Sequence, residues 1–155
     1  FRWGAMFTFL TGLVLLHQIG VATEMMARPI IWIGAVAGTI MFLNVWLVIW
    51  PNQQVVLGLK SGDGPKSAAK AGLASRTNTL LSGPMLLGML ASNPTHSLVP
   101  GGSVSQTALI VCLLIILALE ANALFGKLGP MTTVKGVIHC SIGLTIIMVA
   151  LLIYL

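Results

Sequence analysis

Long apolar blocks separated by short, turn-rich polar breaks dominate this chain. A helix that crosses a membrane needs about 20 mostly apolar residues. Five blocks meet that requirement, over residues 3–22, 30–50, 77–92, 106–125 and 136–155. The second begins after Pro29 and is expected to stop at Pro51, because proline cannot donate to the preceding turn. The third is the shortest and holds Gly83-Pro84, so a broken or re-entrant helix is the alternative there. Turn formers mark the breaks: Ser61-Gly62-Asp63-Gly64-Pro65, Asn93-Pro94, Pro100-Gly101-Gly102 and Gly129-Pro130. Within the 51–76 break, Ser67 to Arg76 fits a short amphipathic helix lying at the interface. The expected fold is all-α, an integral membrane bundle of about five transmembrane helices in one domain over 1–155.

Composition supports that reading. Hydrophobic residues make up 57% of the chain and charged residues 7%, against about 25% charged in a typical soluble domain. So few charges cannot cover a surface that faces water, whereas they suit one that faces lipid. No basic cluster is dense enough for nucleic acid. Position matters more than the net charge of +5. With the 51–76 loop in the cytoplasm, Arg2, Lys60, Lys66, Lys70, Arg76, Lys127 and Lys135 all fall inside, which is 7 of the 8 basic residues. Only Arg28 then lies outside. Without the third span the split becomes 5 against 3, so the asymmetry favours five spans. The N-terminus is then cytoplasmic and the C-terminus periplasmic.

Polar and ionisable groups inside spans are costly and therefore mark candidate sites. Glu120 lies near the inner end of the fourth span and His139 near the inner end of the fifth, at similar depth. Asn44 lies in the inner half of the second span, followed by Trp46, Trp50, Asn52 and Gln53. Arg76 and Asn78 open the third span on the same side, with Asn122 nearby. A Glu120–His139 pair in a low-dielectric site could relay protons, orient a ligand or hold a quinone. The competing reading is that these groups, Asn44 and Asn78 included, are hydrogen-bonded glue between helices. Trp46 and Trp50 also fit an aromatic belt at the interface.

His17 lies in the outer third of the first span, with Glu24 further along. At 1.5 Å per residue it is about 15 Å in depth from His139. The two cannot face each other across one iron, so each is a candidate ligand for a non-covalent haem b completed elsewhere. His96, in the outer loop, reads as solvated. Cys112 and Cys140 lie in apolar runs and read as small buried hydrophobes. No Cys-x-x-Cys-His occurs, so this chain itself holds no c-type haem. No zinc spacing, phosphate loop or Ser/His/Asp arrangement is present, and Met25-Met26 has no second soft-ligand cluster beside it. No metal site is expected. Gly34-x-x-x-Gly38 suits close helix packing rather than chemistry.

Several stretches resemble the membrane domain of the bacterial membrane-bound urate oxidases, urate hydroxylases fused to a cytochrome c domain. They are Phe1-Arg2-Trp3-Gly4-Ala5, Asn44-Val-Trp-Leu-Val-Ile-Trp-Pro-Asn-Gln53, Ala74-Ser-Arg-Thr-Asn-Thr-Leu-Leu-Ser82 with Pro84-Met85, Glu120-Ala-Asn-Ala-Leu-Phe-Gly-Lys127 and Val134-Lys-Gly-Val-Ile-His139. Their order and approximate spacing agree over most of the chain. The resemblance implies the bacterial inner membrane as location. Family members are longer, with membrane helices before this region and a haem-binding domain after it. The expectation is therefore a shortened relative, with a separate cytochrome c and other membrane subunits as partners.

Two functions follow as expectations. In the first, the chain is a membrane subunit of a redox or respiratory-type complex that seats a haem or quinone. Glu120 and His139 then form the inner site, Arg76 neutralises an anionic ligand, and Asn44 and Asn78 complete it. In the second, it is a non-catalytic accessory subunit of a membrane enzyme. A transporter is a weaker third reading, since few charged groups line a path and no inverted repeat is visible.

Overall fold

The computed structural model describes residues 2–18, 29–92 and 104–155, and every regular element among them is helical. Five helices form an all-α bundle: α1 (Arg2–Gln18), α2 (Ile31–Val56), α3 (Gly64–Ala91), α4 (Gln106–Phe125) and α5 (Val134–Tyr154). A 3-10 turn at Gly129–Thr132 leads into α5. The helices α2, α4 and α5 are each long and apolar enough to cross a membrane. Residues 19–22 of the first expected span, with Glu24, Met25, Met26, Arg28 and His96, lie outside the described residues.

The helix α3 is the centre of the bundle. It packs against α2, α4 and α5. Its buried residues include Leu73, Ala74, Leu80, Leu81, Leu87 and Ala91. The largest core cluster joins Ile33 and Ala37 of α2, Leu81 and Leu87 of α3, Cys112 and Ile116 of α4, and Met148 of α5. A helix that sees mostly other helices needs less hydrophobicity than one facing lipid, which explains why α3 reads weakly as a span. Its 28 residues reach about 42 Å, more than the hydrocarbon core needs. The expected interfacial helix over Ser67–Arg76 is simply its first half, capped by the Asp63 carboxylate, which accepts from the Lys66 N–H at 3.1 Å. The expected 51–76 loop shrinks to residues 57–63.

Neither proline ends its helix where the sequence suggested. Pro84 lies inside α3, with no break or re-entrant turn. Its missing N–H would leave the Leu80 carbonyl without a donor. The buried Ser141 hydroxyl of α5 supplies one at 2.9 Å, while its oxygen accepts from the Gly83 N–H at 3.2 Å. In lipid every backbone polar group needs a protein partner, and a neighbouring serine can provide it. Likewise α2 continues past Pro51 to Val56. The turn before Pro51 is a π-helical segment, Asn44–Ile49, in which the Trp50 N–H reaches back to Val45. A wider turn accommodates the proline ring that would crowd a regular one.

Glycine sets the closest crossing. A Cβ on Gly88 of α3 would collide with the backbone N and Cα of Gly34 on α2. Gly34 of the Gly34-x-x-x-Gly38 pair thus makes the contact, whereas a Cβ on Gly38 would meet only the Met85 sulfur at an ordinary 3.8 Å. The outermost helix, α1, has no buried residue. It rests on α2 through aromatic contacts, with Phe9 stacked on Phe42 at 4.3 Å and Trp3 edge-on to Trp46 at 5.9 Å.

The same packing sorts the charges. The contact of Arg2 with Trp50 puts the start of α1 beside the end of α2. A cluster of Leu73, Leu80, Met131 and Val137 puts the α4–α5 connection beside the first half of α3. Arg2, Lys60, Lys66, Lys70, Arg76, Lys127 and Lys135 therefore gather at one end of the bundle.

Three substitutions test this packing. Gly88→Ala should lower stability in detergent by about 1–3 kcal/mol or more, since neither backbone can yield cheaply. Ser141→Ala should cost about 1–3 kcal/mol by leaving the Leu80 carbonyl unpaired. Restoring the donor at 84 with Pro84→Ala should recover much of the Ser141→Ala loss. All three are read from thermal or SDS-induced unfolding.

Candidate functional site

Three polar side chains from three helices meet where α2 widens. Asn44 begins the π segment and is 2% exposed. Its Nδ2 donates to Asn78 Oδ1 of α3 at 3.0 Å and to Glu120 Oε2 of α4 at 2.9 Å. Asn78 Nδ2 in turn donates to the Met41 carbonyl of α2 at 3.0 Å. That carbonyl also takes the Asn44 backbone N–H, which it shares with Ile40. Hydrogen bonds at the entry to the widened turn are thus redistributed, and a side chain from the next helix joins them. Packing around the cluster is apolar, with Val45, Val48 and Ile49 buried against Ala74 one turn before Asn78 in α3.

The geometry satisfies both amide hydrogens of Asn44, which is the arrangement that makes a buried polar group tolerable. It also holds a carboxyl group within an otherwise apolar span. Glu120 is half-buried, with one oxygen held by Asn44 and the other without a hydrogen-bond partner among the described residues.

The other expected site residues stand apart. His139 is exposed on the outward face of α5, its Nδ1 bonded to the Lys135 carbonyl at 2.8 Å. A carbonyl only accepts, so Nδ1 carries the hydrogen and Nε2 is left for an outside partner. The Glu120–His139 pair suggested by equal depth does not form; Asn44 and Asn78 occupy that role beside Glu120. Depth along a span was legible in sequence, but not which face of α5 carries His139. Arg76 is half-buried half a turn before Asn78 and joins none of these hydrogen bonds. His17 is exposed near the far end of α1. No group of three or more potential metal-ligating side chains occurs among the described residues.

Sequence reasoning missed two participants. The Met41 carbonyl could not be foreseen without the π segment. Ser141 could have been suspected, as a small hydroxyl in an apolar span of a chain with a proline inside another helix. Cys112 is buried, as expected, and Cys140 half-buried.

Residues 22–154 match the family model described as urate oxidase, N-terminal. The chain belongs to this urate oxidase N-terminal family. The matched region contains Asn44, Arg76, Asn78, Glu120 and His139, while Arg2 and His17 precede it. No curated protein and no solved structure matches the chain. In this urate oxidase N-terminal domain the three-helix polar cluster is the site with built geometry.

Asn44→Leu tests how the cluster is held together. It strips the donor from Asn78 and Glu120 together, and an unsatisfied buried group costs about 1–3 kcal/mol. The variant should lose at least that much stability in a thermal unfolding assay. Unchanged stability would mean the two partners find other donors.

Proposed function

We propose that the chain is a membrane subunit of a urate-oxidase-type redox assembly, in which Glu120 accepts and releases protons that accompany electron transfer. The observation that carries this reading is the carboxyl of Glu120 held inside a mostly apolar span by the Asn44 amide, with its second oxygen unpartnered among the described residues. An ionisable group that costs energy in lipid is usually retained for what it does. Asn44 is the positioning residue, and Asn78 fixes Asn44 in turn.

The donor set bears on which electron carrier fits. His17 and His139 lie near opposite ends of the bundle, and among the described residues neither has a second imidazole facing it. His17 and His139 therefore do not together build a two-histidine haem site. A quinol hydroxyl would find an acceptor in Glu120, but both amide hydrogens of Asn44 are already used. Arg76, outside the cluster, has no part in this reading. A cytochrome c and further membrane subunits would carry the electrons onward.

A second reading, a non-catalytic accessory subunit, draws support from the same closure. With Asn44 donating twice and Asn78 bonded to Met41, the cluster serves equally as a lock between α2, α3 and α4.

Glu120→Gln separates the two. The glutamine oxygen still accepts from Asn44, so the lock survives while the titratable proton is lost. The redox reading expects turnover of the parent complex to fall about a hundredfold or more, in the range of a lost general base, with unfolding temperature nearly unchanged. Normal turnover would leave the accessory reading standing. A dithionite-reduced minus oxidised spectrum of the isolated chain should show no b-type haem band. Such a band would return His17 or His139 to the site.

The basic end of the bundle also supports an orientation, with that end in the cytoplasm. A cysteine placed at the exposed Ser61 should react with an impermeant maleimide in inverted vesicles and not in intact cells. The reverse pattern would overturn the orientation.

A further inference from the structure

Arg2 is a cation held by three indole rings. Its guanidinium carbon lies 4.1 Å from the Trp50 ring centroid and 5.6 Å from those of Trp3 and Trp46. Three of the four tryptophans in the chain thus gather around one arginine. Trp3 and Trp46 are themselves packed edge to face, so the cage is braced by the α1–α2 contact.

The charge of Arg2 lacks a protein counter-ion among the described residues. The chain has only three acidic residues. Asp63 caps α3 and Glu120 is bonded to Asn44, while Glu24 lies outside the described residues. The indole N–H of Trp46, buried in the same aromatic patch, also has no acceptor among the described residues. The patch is therefore rich in donors and poor in acceptors. Stacking on indole faces leaves the N–H edge of the guanidinium for in-plane hydrogen bonds, the geometry that matches the oxygens of a phosphate. Tryptophans concentrate at the depth of lipid headgroups, and Arg2 lies at the same end of the bundle as Lys60, Lys66, Lys70, Lys127 and Lys135.

We propose that Arg2, caged by Trp3, Trp46 and Trp50, is a binding site for the headgroup phosphate of an anionic phospholipid. The lipid supplies the missing acceptors and seals α1 against α2. This site is separate from the Asn44–Asn78–Glu120 cluster and stands or falls independently of it.

Native mass spectrometry of the full chain in neutral detergent tests the assignment, with phosphatidylglycerol, phosphatidylcholine and inorganic phosphate each titrated. The wild type should bind the first phosphatidylglycerol about fivefold or more tightly than phosphatidylcholine. Arg2→Gln should bring that ratio close to one, whereas the exposed pair Lys66→Gln/Lys70→Gln should leave it in place. If Arg2→Gln does not fold, Arg2→Lys decides. It keeps the charge but not the paired hydrogen bonds, so the preference should fall at least about twofold. A preference that survives the Arg2 variants, or that depends on Lys66 and Lys70 instead, overturns the proposal. Inorganic phosphate binding as tightly as phosphatidylglycerol also overturns it, by assigning the site to a free oxyanion.

Discussion

The close approach of α2 to α3 at Gly34 and Gly88 governs the rest of the bundle. With no side chain on either residue, the two backbones touch, and the antiparallel register of the helices is set at that point. The same number of residues forward in α2 and back in α3 brings Asn44 opposite Asn78. A slip of one turn would move Asn44 off Asn78 and leave three polar side chains unpaired in an apolar core. The apolar contact and the polar cluster therefore specify the same register, one by shape and the other by hydrogen bonding.

Satisfying polar groups without water explains the two irregular places in the bundle. Pro84 takes a donor out of α3, and Ser141 returns one from α5. Pro51 follows a widened turn in α2, and the entry to that turn takes a hydrogen bond from Asn78. In each case the defect in one helix is answered by a polar side chain of another. A substitution at one partner is thus felt in the neighbouring helix, and the site at Asn44 is coupled to the backbone irregularity beneath it.

Different forces hold the periphery. The α1 helix buries no residue and docks through ring stacking and the Arg2 cage. These are surface contacts, whereas those of α3 form the core of the bundle. His139 also lies at the periphery, exposed on α5 with its Nδ1 bonded to the Lys135 carbonyl.

Several properties were legible in the residues alone. The length and polarity of the apolar blocks determined an all-α membrane bundle of about five helices, because lipid demands long apolar segments whose backbone bonds are internal. The distribution of Lys and Arg determined that one end is basic. Recurrent stretches around Asn44, Asn78 and Glu120 pointed to the family and to the residues that cluster. Tertiary structure alone decided which polar groups meet, because depth along a span says nothing about the face of a helix. It turned His139 outward, set Asn44 between Asn78 and Glu120, and let both prolines lie inside helices. Local sequence marks proline as a terminator, but the cost depends on whether a neighbour can supply the lost hydrogen bond, and that neighbour is brought near only by the fold.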